Sequence, residues 1–301
     1  MRLSIVIPCY NSADTIEATL RSIQSCDCLD QIGTIHLVND CSTDATVEIA
    51  RATWVSNIPL NIYSFGKNKG QWSVTNFGIS TLSEGSDWTF LLHADDVVKR
   101  NWLSLYIDAM QKAPESVGSI CSSYDDWWGD SRIKAGEDCP GAMPVHVEGT
   151  RESVIGTINS GCWWHISGCA IRNQSFKEVG PFDPAYPMLG DWDWCLRLLA
   201  AGHGIWYVPR STLLYRQIDT SVSGRSFRVA QDIRDRLAIL QRNLNLGLLP
   251  MDDYNVHFRR TIRLLTRRFT VRLARRDRLG VTSHFSLMAE ILKTHIMSGK
   301  F

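Results

Sequence analysis

Several things that whole classes of protein require are missing from this 301-residue sequence. Nowhere does it approach the roughly 18–20 consecutive apolar residues that a membrane-spanning helix needs. The opening Met1-Arg2-Leu3-Ser4-Ile5-Val6-Ile7-Pro8 has no long apolar region and no cleavage site. It therefore reads as a first strand and not as a signal peptide. The nine cysteines follow no zinc spacing, and their odd number suits a reducing cytosol better than a disulfide framework. The close pair Cys26 and Cys28 accordingly reads as ordinary thiols. Glycine is absent from the turn after the first strand, Pro8-Cys9-Tyr10-Asn11, where a dinucleotide enzyme carries G-x-G-x-x-G. No G-x-x-x-x-G-K-[ST] phosphate loop occurs either, so a Rossmann dehydrogenase and a P-loop NTPase both fall away. Net charge is only +1, but it is unevenly placed: residues 259–278 hold nine Arg and one Asp.

What is present begins with an alternation of apolar runs and helical patterns over the first 125 residues. Strands are expected at Leu3–Ile7, Thr34–Val38, Asn61–Phe65 and residues 88–92. Helices are expected from the cap residues Asn11-Ser12-Ala13-Asp14 to about Gln24, around Val47-Ile49-Ala50, near Trp72–Leu82 and at Asn101–Lys112. This order is the signature of a mostly parallel sheet with flanking helices. From Val117 to about Pro187 the pattern is irregular, apart from a short strand near Cys169–Arg172. Helical character returns at Asp191–Ala201, closed by Gly202, and residues 226–246 and 252–278 read as two further helices.

The most informative run is Leu91-Leu92-His93-Ala94-Asp95-Asp96. It places an imidazole and two carboxylates directly after Trp88-Thr89-Phe90-Leu91-Leu92, which reads as a central strand covered on both faces. Open α/β sheets bind ligands at the carboxyl ends of their strands, and hard oxygen donors there suit a divalent cation beside a phosphate. Asn39-Asp40 follows the second strand. Asp40 can accept from a base N–H or a ribose hydroxyl, or it can join Asp44 in capping the next helix. Gly66-Lys67-Asn68-Lys69-Gly70 offers flexible backbone and two ammonium groups to a diphosphate. Asp191 and Asp193 open a helix, where the macrodipole favours anions. Beside them, Trp192 and Trp194 are apt platforms for sugar rings, and a carboxylate so placed can take a proton from a hydroxyl.

Taken together, Ile-Pro-Cys-Tyr-Asn at 7–11, Asn-Asp-Cys-Ser-Thr-Asp at 39–44, Asn-Lys-Gly at 68–70, Asn-Phe-Gly-Ile at 76–79, His-Ala-Asp-Asp at 93–96 and Asp-Trp-Asp at 191–193 resemble the family 2 glycosyltransferases. The resemblance covers roughly residues 3–223. It implies the GT-A fold: an α/β domain over 1–223, with a nucleotide-sugar half at 1–125 and an acceptor half at 126–223. A C-terminal helical extension, 224–301, would follow. It also implies inverting transfer from a nucleotide-diphosphate sugar, with Mn²⁺ or Mg²⁺. Carried over, the donor would meet Pro8, Tyr10, Asn11, Asp40, Asn68, Gly70, Asn76, His93, Ala94 and Asp95. The metal would meet Asp95, with Asp96 and His93 as further ligands. Asp191 would be the general base. Trp163, Trp164, Trp192 and Asp193 would face the acceptor, and Trp127 and Trp128 lie in the same irregular middle. Phe182-Asp183 matches a Gly-Phe-Asp segment, and Tyr215-Arg216 with Ser221 a late family element.

Departures stand beside the matches. His93 occupies a position where the family commonly has Asp, and imidazole suits Mn²⁺ better than Mg²⁺. Asn39 replaces a frequent Asp, Gly190 a frequent Glu, and Ile218 a frequent His. A sugar-1-phosphate nucleotidyltransferase shares a similar layout but opens with a Gly-rich loop. A catalytically silent nucleotide-sugar-binding module is the third reading. The segment Phe258–Phe269 reads as a basic amphipathic helix, with Ile262, Leu265 and Phe269 on its apolar side. Partners expected on these grounds are a nucleotide-sugar donor, a glycan or lipid-linked acceptor, and an anionic membrane surface met through Arg259–Arg278. No nucleic acid is expected. The expected place is the cytoplasm or the cytoplasmic face of a membrane.

Overall fold

The computed structural model describes residues 1–129, 132–139, 142–217 and 222–297. Ile218 and Ser221 of the expected late element lie outside them. The chain forms two compact units, Met1–Ala185 with Asp191–Gln217, and Tyr186–Gly190 with Ile218–Phe301.

The first unit runs β1 (Leu3–Cys9), α1 (Ile16–Gln24), β2 (Ile32–Asn39), α2 (Thr46–Thr53), β3 (Leu60–Ser64), α3 (Gln71–Phe77), β4 (Trp88–Leu91), β5 (Val97–Val98), α4 (Trp102–Lys112), β6 (Val117–Trp127), β7 (Ile133–Lys134), β8 (Val145–Val147), α5 (Arg151–Ser160), β9 (Ala170–Arg172), α6 (Asn173–Val179), α7 (Gly190–Ala200) and β10 (Gly204–Arg216). These strands form one mixed sheet in the order β3-β2-β1-β4-β9-β6-β10-β5, with β7 on β6 and β8 on β10. The β3-β2-β1-β4 half is parallel throughout, whereas β9 runs antiparallel to both β4 and β6.

Apolar continuity explains the first half. Ile5, Ile7, Phe90 and Leu92 are fully buried, and Phe90 meets Trp102 of α4 edge to face at 5.1 Å. Each aliphatic or Phe side chain buried in this way contributes roughly 1.5–3 kcal/mol. α1 presents Ile16, Leu20 and Ile23 to the same core, the i, i+4, i+7 spacing of an amphipathic helix. It begins one turn later than the Asn11–Asp14 caps suggest. Thr15 is its cap residue, and the Ser12 carbonyl accepts from Thr15 N and Ile16 N. Between α3 and β4 the helix loosens into a π turn, Gly78–Leu82, where any side chain on Gly78 would collide with Val6.

The stretch read as irregular contains an eleven-residue strand, β6, and two helices, α5 and α6. β6 escapes the apolar pattern because Ser119, Ser122 and Ser123 are buried serines. Hydrogen bonds satisfy them: Ser119 Oγ donates to Ala170 O at 2.9 Å, and Ser122 Oγ lies 2.6 Å from Thr212 Oγ1. The thirteen-residue β10 shows no continuous strand pattern because Pro209 interrupts it; its pairing with β6 slips between Val208 and Ser211.

The second unit comprises α8 (Val222–Arg228), α9 (Gln231–Asn245), α10 (Met251–Ala274) and α11 (Arg278–Met297), two of them beyond the two expected helices. Ala230, Ile233, Leu265 and Leu287 form its core. The apolar side of the basic helix packs into this core. Leu265 is fully buried, and Phe269 lies against Phe285 at 6.5 Å. Arg259, Arg260, Arg263 and Arg267 face out, while Arg268 binds Asp232 and Arg272 binds Asp277. No helix among the described residues is long and apolar enough to cross a membrane.

Candidate active site

β1 is flanked by β2 and β4, so the chain departs from it in opposite directions; that switch point is where an open α/β sheet leaves a crevice. Three strand ends meet there. The end of β4 continues into the turn His93-Ala94-Asp95-Asp96, and donor atoms of His93, Asp95 and Asp96 all lie within 4.8 Å of one another. They are the one such group of three among the described residues.

The backbone of this turn is held from several directions. His93 N donates to Ser167 Oγ at 3.1 Å. The Ala94 carbonyl accepts from Thr15 Oγ1, and the Asp96 carbonyl from Thr19 Oγ1, both at 2.8 Å. Arg216, at the end of β10, donates Nε–H to the Asp95 carbonyl at 2.7 Å and N–H to Asp96 Oδ1 at 2.9 Å. Its guanidinium also stacks over Trp127 at 3.9 Å. Asp95 and His93 remain half-buried, whereas Asp96 is fully buried. Burial, reinforced by the neighbouring Asp95, pushes the Asp96 carboxyl well above the usual range. Burial pulls His93 down despite the opposing charge of Asp95, so its imidazole is neutral at pH 7 with a lone pair to offer. Behind it, His165 is pulled down to about 4 by burial and sits between Tyr124 and Tyr215, at 4.4 and 4.6 Å between ring centroids.

The ends of β1 and β2 supply the second wall. Tyr10 is 46% exposed, an aromatic face open to a planar base, while Pro8 is buried in the strand. Asn11 Oδ1 accepts from Thr43 N at 2.8 Å and so ties the two loops together. Asp40 neither caps α2 nor faces solvent. Its carboxylate accepts from Lys69 N at 2.7 Å and Gly70 N at 2.8 Å, while Asp44, one residue before the cap Ala45, accepts from Thr46 N at the start of α2. Asn68 completes that loop, with Oδ1 accepting from Gly70 N at 3.2 Å, and Gly70 adopts φ +83°. Lys69 lies over Phe65 at 4.3 Å. Asn76, expected on the donor, grips both backbone groups of Phe182 instead, donating to its carbonyl at 2.8 Å and accepting from its N–H at 2.9 Å.

The residues expected to face an acceptor separate. Asp191, in the first turn of α7, is half-buried and accepts from Trp192 N at 2.8 Å. Asp193 is buried and bound to Arg197 at 2.8 Å, while Arg197 donates on to the carbonyls of Val179 and Pro181. Trp164 and Trp192 are fully buried; Trp164 donates to Ser119 Oγ and lies 5.4 Å from Trp194. These three side chains therefore build packing and offer no sugar platform, a correction that follows from Trp being a large apolar group first. Trp163 is half-buried and meets Tyr207 edge to face at 6.4 Å. Thr15, Thr19, Ser167 and the clamp function of Arg216 are absent from the sequence reading. A threonine pair at i, i+4 along an apolar helix face is a sequence signal for the first two of these.

Fold and site together define a GT-A type glycosyltransferase domain. The chain belongs to glycosyl transferase family 2, which its residues 4–180 match. It is 26% identical over 222 residues to the succinoglycan biosynthesis protein ExoA of Rhizobium meliloti, covering 70% of this chain and 62% of that protein. It is 25% identical over 173 residues to the poly-beta-1,6-N-acetyl-D-glucosamine synthase of Staphylococcus epidermidis, covering 58% of this chain and 35% of that one. The chain thus spans less than two thirds of the length of these relatives. The mannosyltransferase PcManGT from Pyrobaculum calidifontis, solved with GDP-Man and Mn²⁺, shares the fold with a TM-score of 0.61 at 14% identity, covering 97% of this chain and 86% of that one. TarS 1-349 of S. aureus, solved with UDP-GlcNAc, does so with a TM-score of 0.62 at 14% identity, over 81% of this chain and 67% of that one.

Proposed function

We propose that this chain transfers a monosaccharide from a nucleotide-diphosphate sugar, preferably a UDP-sugar, to a hydroxyl of a glycan or lipid-linked acceptor, with inversion. The observation that carries this is the His93–Asp96 turn at the switch point: three metal-type donors follow β4, and the neighbouring strand β1 ends just before the exposed ring of Tyr10. In this reading Tyr10 stacks on the base, and Asp40 holds the 68–70 loop against the nucleoside. Arg216 fixes the acidic turn and places a cation beside the diphosphate. Asp191 takes the proton of the acceptor hydroxyl, whose oxygen attacks the anomeric carbon opposite the departing nucleotide. With a half-buried imidazole and carboxylate, and a second carboxyl behind them, the donor set fits Mn²⁺ better than Mg²⁺. His93 and Asp95 would hold the ion. Such an ion supplies Lewis-acid stabilisation of the charge left on the diphosphate.

The names of the relatives support a place in polysaccharide synthesis. The outward arginines of α10 support attraction to an anionic membrane surface at the cytoplasmic face, about 1 kcal/mol for each basic side chain near the lipid. With Leu265 buried, that attraction is electrostatic and not an insertion. Sedimentation with anionic vesicles tests it, since binding that survives Arg-to-Gln changes at 259, 260, 263 and 267 contradicts it. The function itself is tested by incubating the protein with a panel of nucleotide-sugars and following slow donor hydrolysis with and without Mn²⁺. Release of UDP from one of them supports transfer. Binding of UDP with no turnover of any donor marks a silent binding module, and cleavage of a donor to sugar-1-phosphate and nucleoside triphosphate only when pyrophosphate is added marks a nucleotidyltransferase.

A further inference from the structure

We propose that Thr15 and Thr19 of the first helix are positioning residues for the metal-holding turn, acting through its backbone; this rests on the metal assignment to His93 and Asp95. Thr19 is fully buried and Thr15 nearly so, at 9%. Thr19 Oγ1 lies 2.8 Å from the Asp96 carbonyl and 3.0 Å from that of Ala94, so its one proton is shared between them. Thr15 Oγ1 lies 2.8 Å from the same Ala94 carbonyl and 3.3 Å from that of Ser12. One turn further along, Ser22 Oγ accepts from Val98 N at 3.1 Å. The helix thus carries a line of hydroxyls at 15, 19 and 22 within its apolar face, and each meets the segment 94–98.

The consequence is geometric. Two carbonyls of the turn, at 94 and 96, point at α1, while the one between them points at Arg216. Alternate carbonyls drawn to opposite partners fix the backbone on both sides of Asp95, and with it the direction of the Asp95 carboxylate. Threonine suits this task because its branched Cβ is stiff in a helix and its methyl packs with the isoleucines around it. Valine has the same shape and lacks the proton. At position 19 it leaves the helix surface filled while the Asp96 carbonyl loses its donor and the Ala94 carbonyl keeps that of Thr15.

Outer partners of metal ligands typically change metal affinity by about 10-fold or more when removed. The test is calorimetric UDP binding in the presence and absence of Mn²⁺, for the wild type, Thr19→Val, Thr19→Ser, Thr15→Val and Ser22→Ala, with thermal unfolding recorded for each. The expected result is that Thr19→Val weakens the Mn²⁺-dependent part of UDP binding ~10-fold, in line with the loss of an outer partner. Metal-free UDP binding should stay unchanged, and Thr19→Ser should restore the wild-type value. Thr15→Val shifts the same quantity less, and it serves if Thr19→Val does not fold. Ser22→Ala lowers the melting temperature without touching the Mn²⁺ dependence. A Thr19→Val protein with lowered melting but wild-type Mn²⁺ dependence overturns the inference. A wild type with no Mn²⁺ dependence overturns the metal assignment beneath it.

Discussion

The two sides of the site are built in opposite ways. On the proposed donor side, parallel strands β3-β2-β1-β4 end in short loops whose polar groups hold one another: Asn11 with Thr43, Asp40 with Lys69 and Gly70, and Thr15 and Thr19 with the 94–96 turn. On the proposed acceptor side, β9 reverses direction, and Trp164 before it, Phe182 after α6 and Trp192 and Trp194 of α7 are all buried as an aromatic mass. The first arrangement is a frame of hydrogen bonds with an open ring, Tyr10, at its edge. The second is a packed wall, with Asp191 at the start of α7 as its half-buried carboxylate. Under the proposed function, donor recognition is spread over several loops, whereas proton transfer at the acceptor is concentrated in one side chain.

The largest effect that would sharpen this contrast is expected at that side chain. Asp191→Asn should lower turnover by about 10²–10⁴-fold, the usual contribution of a general base, while UDP binding is retained. Steady-state kinetics with calorimetry of UDP reads both quantities, and surviving transfer would dissolve the division of labour. A smaller change is expected on the opposite side. Tyr10→Ala should raise the donor KM and leave kcat nearly intact, since base stacking on an aromatic ring is worth about 1–3 kcal/mol. An altered kcat with an unaltered KM would place Tyr10 elsewhere in the cycle.

The smallest expected effect lies at the seam, where His165 is wedged between Tyr124 of β6 and Tyr215 of β10. Its folded-state value of about 4 is below that of an unfolded histidine, about 6.5. Between those values the unfolded chain binds the extra proton, so this group's contribution to stability is present above pH 6.5 and fades as pH falls toward 4. Melting curves across that window should flatten in His165→Asn relative to the wild type. Identical slopes would show that other groups carry the acid sensitivity.

The same contrast explains what could be read from residues alone. The donor side was legible because its strands are unbroken apolar runs and its polar residues sit at strand ends, where topology gives them a meaning. The acceptor side was not. β6 hides its buried face behind serines that hydrogen-bond to Ala170 and Thr212, and β10 is interrupted by Pro209 and a slipped register. Burial also reassigns residues that chemistry alone would favour. Asp193 looks like Asp191 in sequence but is consumed by Arg197, and Asn76 looks like a ligand but braces Phe182. Pairings of this kind join positions far apart in the chain, as Thr19 does with Asp96. No local pattern announces them.

The central claim, that the turn at 93–96 is the donor end of a sugar-transfer site, meets its most direct test in a single comparison. UDP release from the nucleotide-sugar panel is measured with Mn²⁺ for the wild type and for Asp95→Asn. Mn²⁺-dependent release from at least one donor, lost when Asp95 becomes Asn, is the predicted result. Release that is indifferent to both Mn²⁺ and Asp95 would contradict the claim.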